Sequence, residues 1–430
     1  MKEIKRIVAT EIATLLKQVG AILIEGPKLC GKTFMGQKFS QSQFYVQDYQ
    51  ALVASYLLQP VEQNIIFTGA KPRLIDEWQL APAIWDKARL AIDLSQNKNG
   101  LFILTGSSRA KEGSRLHSGA GRIYRLEMTT LTFNEILTYQ GQQTFISLKS
   151  LFAKEPININ NYNHYDLDWV VKQVIQGGWP LIETHHNPVS IAPKIIKTYI
   201  DSIVTINDLV DQNLRLKSQI ALKILKSLAR LNGCQLNQNT VLADINNGIS
   251  KTTLIKYLNY FANLFLIFNL PVWRVEKHFV SKTRMRTKNK FYFCDPSIAA
   301  YLLGIKTKEN FYQDWTTFGQ FFENQVIKDL LTYTQALGMK LYFYRDANGL
   351  EIDVIIEVDD NQWAAIEIKV GSAPTIEQAA KTLKYFAQKM INNGLKEPQF
   401  LMIITAGGYS LHPYCRPDGV YVIPHPCLGI

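Results

Sequence analysis

Gly26-Pro27-Lys28-Leu29-Cys30-Gly31-Lys32-Thr33 follows the apolar run Ala21-Ile22-Leu23-Ile24 and precedes Phe34, Met35 and Phe39 at helical spacing. That order predicts strand, glycine-rich turn, helix, and the turn fits the phosphate-binding pattern G-x-x-x-x-G-K-[ST]. Gly26 and Gly31 let the backbone curl so that successive N–H groups face an anion. The following helix adds the positive end of its dipole. Lys32 is placed for the β- and γ-phosphates and the Thr33 hydroxyl for Mg²⁺. The expected ligands are ATP and Mg²⁺.

Downstream, Arg73-Leu74-Ile75-Asp76-Glu77 reads as a short strand ending in two acids. Asp76 is expected at the metal and Glu77 at the attacking water. The strand Leu101–Leu104 runs into Thr105-Gly106-Ser107-Ser108, whose hydroxyls are candidate γ-phosphate sensors, Ser107 among them. Arg122 is the first choice for a charge that stabilises the transferring phosphoryl group, and Arg109 the second. Arg115 lies between them.

The chain has 430 residues and a formal net charge of +11. That length predicts about two to four domains, and the positive balance points to a polyanionic partner such as DNA. The cysteines, Cys30, Cys234, Cys294, Cys415 and Cys427, match neither a zinc spacing nor a disulfide framework, so a reducing cytoplasm is expected. Cys30, inside the phosphate loop, would make the loop sensitive to thiol reagents. No apolar run reaches membrane-spanning length, and the start of the chain does not read as a signal peptide.

The middle of the chain reads as helices: Ser218–Leu231, Thr240–Ile245 and Ser250–Ala262, with a Gly-bearing turn before the last. That is helix-turn-helix order. A β-prone run, Leu264–Trp273, follows, and then a basic ribbon, Arg274–Lys290, with Arg274, Lys277, Lys282, Arg284, Arg286, Lys288 and Lys290 against Glu276. Such a ribbon beside a helix suits phosphate contact. Asn158–Asn163 reads as an exposed loop, and His185-His186 as a loop rather than a metal pair.

Near the end, Ile352, Val354, Ile356 and Val358 alternate against Asp353, and Ile366, Ile368 and Val370 against Glu367 and Lys369. The pattern predicts a hairpin whose polar faces meet. Asp, a turn, then Glu-x-Lys resembles the metal-dependent nuclease core of restriction endonucleases. On that resemblance Asp353 and Glu367 would hold Mg²⁺, Lys369 would act on the attacking water, and Glu323 on the preceding helix would be a further acid.

Taken together, the phosphate loop, Asp76-Glu77-Trp78-Gln79-Leu80-Ala81-Pro82, Leu104–Ser108 and Gly119-Ala120-Gly121-Arg122 leading to Leu131-Thr132-Phe133-Asn134-Glu135 resemble the prokaryotic AAA-type predicted ATPases that carry a C-terminal domain of unknown function. Gly177-Gly178-Trp179-Pro180, Tyr199-Ile200, Asp295-Pro296-Ser297 before Leu302-Leu303-Gly304, and Glu351-Ile352-Asp353 agree. Leu29-Cys30, Phe34 and Asn207-Asp208 depart from the family's usual residues. The resemblance implies an α/β chain: a P-loop NTPase (AAA+-like) parallel sheet over residues 1–140, a helical lid region over 141–215, a winged helix over 216–305 and an α/β nuclease-like domain over 306–430. The expected activity is ATP hydrolysis coupled to DNA engagement. The rival reading is a nucleotide-gated DNA- or protein-binding regulator without nuclease activity. A homo-oligomer or a protein client is left open.

Overall fold

The computed structural model describes residues 3–109, 119–142, 145–156, 166–185, 188–205, 217–246, 248–274, 288–359, 362–407 and 414–430. Arg115, Asn158–Asn163, His186, Asn207-Asp208 and ribbon residues 275–287 lie outside them. Two units emerge. One holds Arg6–Thr130 and Leu258–Leu266; the other holds Met1–Lys5, Leu131–Tyr257 and Ile267–Ile430.

The first unit is built on β1 (Ala21–Glu25), β2 (Ser42–Tyr45), β3 (Arg73–Asp76), β4 (Phe102–Gly106) and β5 (Ile123–Glu127). All pairings are parallel, in the order β2-β3-β4-β1-β5. Every residue of β1 is buried, as expected where helices cover both faces of a parallel sheet. Ile22 and Ile24 pack with Val8, Ile12 and Met35, whereas Ala21 and Leu23 pack with the Trp78 and Trp85 cluster. Parallel strands place their C-terminal ends along one edge, and the phosphate loop, Asp76-Glu77 and Thr105–Ser108 all leave from it.

β3 begins with a buried arginine, which sequence polarity disfavours. Its guanidinium is consumed by carbonyls: Arg73 Nε donates to Ile66 O at 2.9 Å and Nη2 to Ile65 O at 2.8 Å. The N-terminal helix is regular over Val8–Leu15, shorter than the amphipathic run from Ile4 to Val19. Arg6, in its approach, donates instead to Cys30 O at 2.7 Å and Thr129 O at 2.8 Å.

In the second unit, β6 (Ile146–Ser147) precedes the helices Leu167–Gln176, Pro188–Thr205, Ser218–Arg230 and Gln238–Asp244. The helix Lys251–Asn263 has its first turns here, and Thr253 N donates to Ser250 Oγ at 3.2 Å, which caps its start. β7 (Ile267–Leu270) pairs antiparallel with β8 (Lys290–Phe293). The motifs Gly177-Gly178-Trp179 and Asp295-Pro296-Ser297 meet: Gly178 N donates to Asp295 Oδ2 at 2.9 Å and Trp179 Nε1 to Ser297 Oγ at 3.0 Å.

The long helix Trp315–Ala336 leads into β9 (Lys340–Arg345), β10 (Glu351–Asp359) and β11 (Gln362–Lys369). These form an antiparallel meander. The helix Ala373–Asn392 then crosses to β12 (Leu401–Thr405), parallel to β11. β13 (Tyr414–Cys415) and β14 (Val420–Pro424) complete the order β13-β14-β12-β11-β10-β9, and β15 (Leu428–Gly429) pairs with β6. The simple alternation expected for β10 is broken. Val354, Ile355 and Ile356 are all buried, and Ile352 and Ile355 share one core with Phe386. The register slips by one residue between Ile352 and Ile355, the mark of a β-bulge.

Lys328, Asp329 and His425 are fully buried in this unit. Asp329 accepts from Phe133 N at 2.9 Å and from Gln325 Nε2 at 3.0 Å, and lies 2.9 Å from both Lys328 Nζ and His425 Nε2. Lys328 Nζ also donates to Leu131 O at 2.6 Å. Burial pushes the Asp329 carboxyl up, but Lys328, His425 and the Phe133 N–H outweigh it and hold it below its ordinary value. Asp329→Ala leaves the buried ammonium short of its counter-charge, and urea unfolding is expected to read a loss of about 3–5 kcal/mol. Because the folded carboxyl is depressed, its stabilisation is present at neutral pH and fades as pH falls through its folded value. Asp329→Asn should flatten that acid limb.

Candidate active site

The phosphate loop closes tightly on its own sheet. A Cβ on Gly26 would stand 2.1 Å from Met128 O, so no side chain fits there. Leu29 and Gly31 take left-handed backbone, with φ of 65° and 100°, and a non-glycine residue in that region marks stored local strain. Pro27 is buried, Lys28 half-buried and Leu29 exposed. Cys30 is fully buried, with Sγ 3.6 Å from Met128 O. The expectation of a reagent-sensitive thiol is thereby corrected, because the sulfur faces the core. Lys32 Nζ donates to Pro27 O at 2.7 Å, which keeps the ammonium over the loop.

β4 lies between β1 and β3, so its end stands between the loop and the acidic pair. Asp76 Oδ1 accepts from Thr33 Oγ1 at 2.9 Å and from Thr105 Oγ1. Burial raises the Asp76 carboxyl above its ordinary value; the two threonine hydroxyls pull it back, Glu77 pushes it further up and Lys32 opposes. Glu77 has left-handed backbone, φ 55°. Its N–H meets Thr105 Oγ1 at 3.3 Å, and its Oε2 accepts from Ser107 Oγ at 2.8 Å and from Gln79 Nε2. Thr33, Asp76, Glu77, Thr105 and Ser107 are therefore one connected group. Gln79 is a member that residue-type reasoning overlooked, although it sits two residues beyond Glu77.

Arg122 is not part of that group. Ala21 N donates to Arg122 O at 3.0 Å, which puts Arg122 beside the start of β1. The phosphate loop leaves the other end, some 15 Å away at about 3.3 Å per residue. The Arg122 guanidinium instead pairs with Asp93 at 3.0 Å. Arg122 therefore lies at the opposite end of β1 from its own phosphate loop. Arg109 follows the correct end of β4. Its guanidinium lies 3.9 Å from Glu127 and 5.0 Å over the Phe265 ring, and with Arg125 it offsets the burial that raises the Glu25 carboxyl.

The comparisons with known proteins follow this geometry. Residues 18–137 match an AAA domain. The chain carries an AAA domain. Residues 167–309 match a domain of unknown function (DUF8612), and residues 318–428 a second one (DUF4143). No curated protein matches the chain. Similar solved structures include the Walker-type ATPase PABY2304 of Pyrococcus abyssi, at 12% identity over 70% of this chain and 96% of that one, with a TM-score of 0.42. A RuvB variant of Thermotoga maritima is 16% identical over 61% and 89%, TM-score 0.28. AMPPCP-bound DnaA from Aquifex aeolicus is 15% identical over 59% and 86%, TM-score 0.25.

The other unit holds a second charged cluster. The bulge in β10 turns Asp353 so that its Oδ2 accepts from Ile368 N at 2.9 Å and from Lys369 Nζ at 3.1 Å. Glu367 Oε2 lies 2.6 Å from the same ammonium. Lys290, read from sequence as part of the basic ribbon, is buried and contacts Glu323 at 3.1 Å and Glu351 at 2.7 Å. Tyr292 Oη donates to Glu323 at 2.6 Å. Neither Lys290 nor Glu351 was singled out as a cluster member; the Glu351-x-Asp353 spacing was the available signal. Among the described residues no group of three or more His, Cys, Asp or Glu side chains is arranged to hold a metal ion.

Electrostatics split these acids. Burial would raise Asp353, but Lys369, Lys290 and the Ile368 N–H outweigh it and keep the carboxyl low. Burial and the neighbouring Asp353 charge push Glu367 up to about 8. Two carboxylates that share one site cannot both ionise freely. Replacing Asp353 by Asn removes its negative charge, so Glu367 should titrate below about 8 yet stay above an exposed glutamate. Carboxyl-carbon NMR of ¹³C-glutamate-labelled protein checks this.

Proposed function

We propose that the AAA domain binds and hydrolyses ATP with Mg²⁺, and that its nucleotide state controls a DNA-engaging, nuclease-like C-terminal region. The observation that carries the first half is the convergence of Thr33 and Thr105 on Asp76 beside a hydrogen-bonded Glu77. The residues fit Mg²⁺, a hard cation that takes oxygen ligands: the Thr33 hydroxyl and, through water, the Asp76 carboxylate would hold it. Bound there, it would neutralise charge on the β- and γ-phosphates. The N–H groups of the loop from Gly26 to Lys32 cradle the phosphates and Lys32 offsets γ-phosphate charge. Glu77 orients a water and takes its proton as the oxygen attacks the γ-phosphorus. The bond to the β-phosphate oxygen breaks, leaving ADP and phosphate. Ser107 holds Glu77 and senses the γ-phosphate. Arg122, lying away from its own loop, would serve only the site of a neighbouring copy.

For the second half, three helices followed by the β7–β8 pair have winged-helix order, and Lys251 and Lys256 are exposed on the last helix. Helix, antiparallel meander, helix and parallel strand support the nuclease-like reading, with Asp353 and Glu367 as metal-binding acids and Lys369 acting on the attacking water. The domain division 1–140, 141–215, 216–305 and 306–430 belongs to the same proposal. One observation favours the rival, a nucleotide-gated regulator that cuts nothing: Lys369 is engaged by both Asp353 and Glu367, an arrangement that would make the cluster a closed ionic surface.

Steady-state ATPase assays test the first half. Lys32→Ala should abolish turnover, and Glu77→Gln should retain nucleotide while lowering kcat at least about 100-fold. ATP hydrolysis by Lys32→Ala at the wild-type rate would sink the reading. Plasmid incubated with Mg²⁺ separates nuclease from regulator. Cleavage lost in Asp353→Ala supports the former, and no cleavage under any nucleotide condition supports the latter. DNA affinity that falls steeply with salt is expected of either.

A further inference from the structure

Glu77 is held by more than the residues a phosphate site ordinarily requires. The Gln79 amide Nε2 donates to Glu77 Oε2 and also reaches Ser107 Oγ at 3.4 Å. Ser107 donates to the same Glu77 oxygen at 2.8 Å. The carboxylate is thus fixed by two donors on one oxygen, which leaves Oε1 for another task. The strained backbone of Glu77, φ 55°, turns the chain so that Gln79 folds back beneath it.

The other end of the Gln79 amide is unusual. Its Oε1 is buried and has no protein partner, and so is the neighbouring Trp78 Nε1. Among the described residues of this unit, Gln79 Oε1 is the one buried side-chain acceptor in that condition. A Cβ on Gly106 would be 2.9 Å from Gln79 Oε1 and 3.0 Å from Trp78 Nε1, so a side chain there would press on both. Gly106 is the last residue of β4, directly before Ser107.

We infer that Gln79 positions Glu77 for hydrolysis, and that glycine at 106 leaves the Gln79 amide room to do so. The inference rests on the ATPase reading above. Glycine at 106 is required because any Cβ would press on the amide. Gln79 must donate to the Glu77 carboxylate, which neither a leucine of similar length nor an ionised glutamate can do.

The experiment is ATP turnover, together with binding of a fluorescent ATP analogue, on wild type, Gln79→Leu, Gln79→Glu, Gly106→Ala and Lys32→Ala. Gln79→Leu and Gly106→Ala should lower kcat about 10- to 100-fold, the scale of losing a positioned group, with analogue affinity unchanged. Gln79→Glu replaces the donor by a second carboxylate and should lower kcat on the same scale, with analogue affinity unchanged. Wild-type kcat in both Gln79→Leu and Gly106→Ala overturns the inference, as does an equal loss of analogue affinity in both, or a wild-type kcat in Gln79→Glu. If Lys32→Ala turns over like wild type, the ATPase reading itself fails and takes this inference with it. Should Gln79→Leu not fold, the Gly106→Ala and Gln79→Glu rates still decide.

Discussion

A carboxylate taken out of water must be given donors, and Asp76 receives two from different elements. Thr33 comes from the phosphate-loop helix and Thr105 from the end of β4. That pair of hydrogen bonds fixes the spacing between the loop and the acidic strand. It also explains the strand order. With β4 inserted between β1 and β3, its terminal hydroxyls can touch both partners at once. Glu77, Ser107 and Gln79 then extend the same network outward, so the reacting edge of the sheet is held by side chains rather than by loop backbone alone.

The second unit uses charge differently. Lys328, Asp329 and His425 form a buried network that ties Leu131 and Phe133 to the helix Trp315–Ala336 and to the segment that holds His425. The cluster of Lys290, Glu323, Glu351, Asp353, Glu367 and Lys369 is less symmetrical. Burial would lower both ammonium groups, but the acids outweigh it and hold them above their ordinary values. Two acids, Glu323 and Glu367, are left above their ordinary values, chiefly by burial.

Much of this was legible in the residues. The phosphate loop, the Asp76-Glu77 pair and the hydroxyl-rich end of β4 were readable because their chemistry demands particular residue types in a fixed order. The helices were readable from apolar periodicity, with ends misplaced by a few residues. Other features were not. Arg73 was legible as the start of a strand but not as a buried side chain, because its partners, the carbonyls of Ile65 and Ile66, carry no side-chain signal. Arg122 was legible by motif but its place was not, since it precedes its strand where the phosphate loop follows one. Lys290 looked like surface charge because a run of basic residues hides the one that turns inward. The alternation over β10 misled for a related reason: period-two patterning assumes an unbroken ladder, and a bulge is invisible to it.

That bulge bears on how the chain can vary over time. The extra residue between Ile352 and Ile355 is what lets both isoleucines enter one core while Asp353 turns to the Ile368 N–H. Deleting one residue there would restore regular pairing and leave a well-formed sheet, but the carboxylate would lose its address. Substitutions on either side would be absorbed far more readily. What a lineage must preserve to keep this cluster is therefore the length of the strand, counted in residues, and a change in that length would separate members that keep the cluster from those that retain only the sheet.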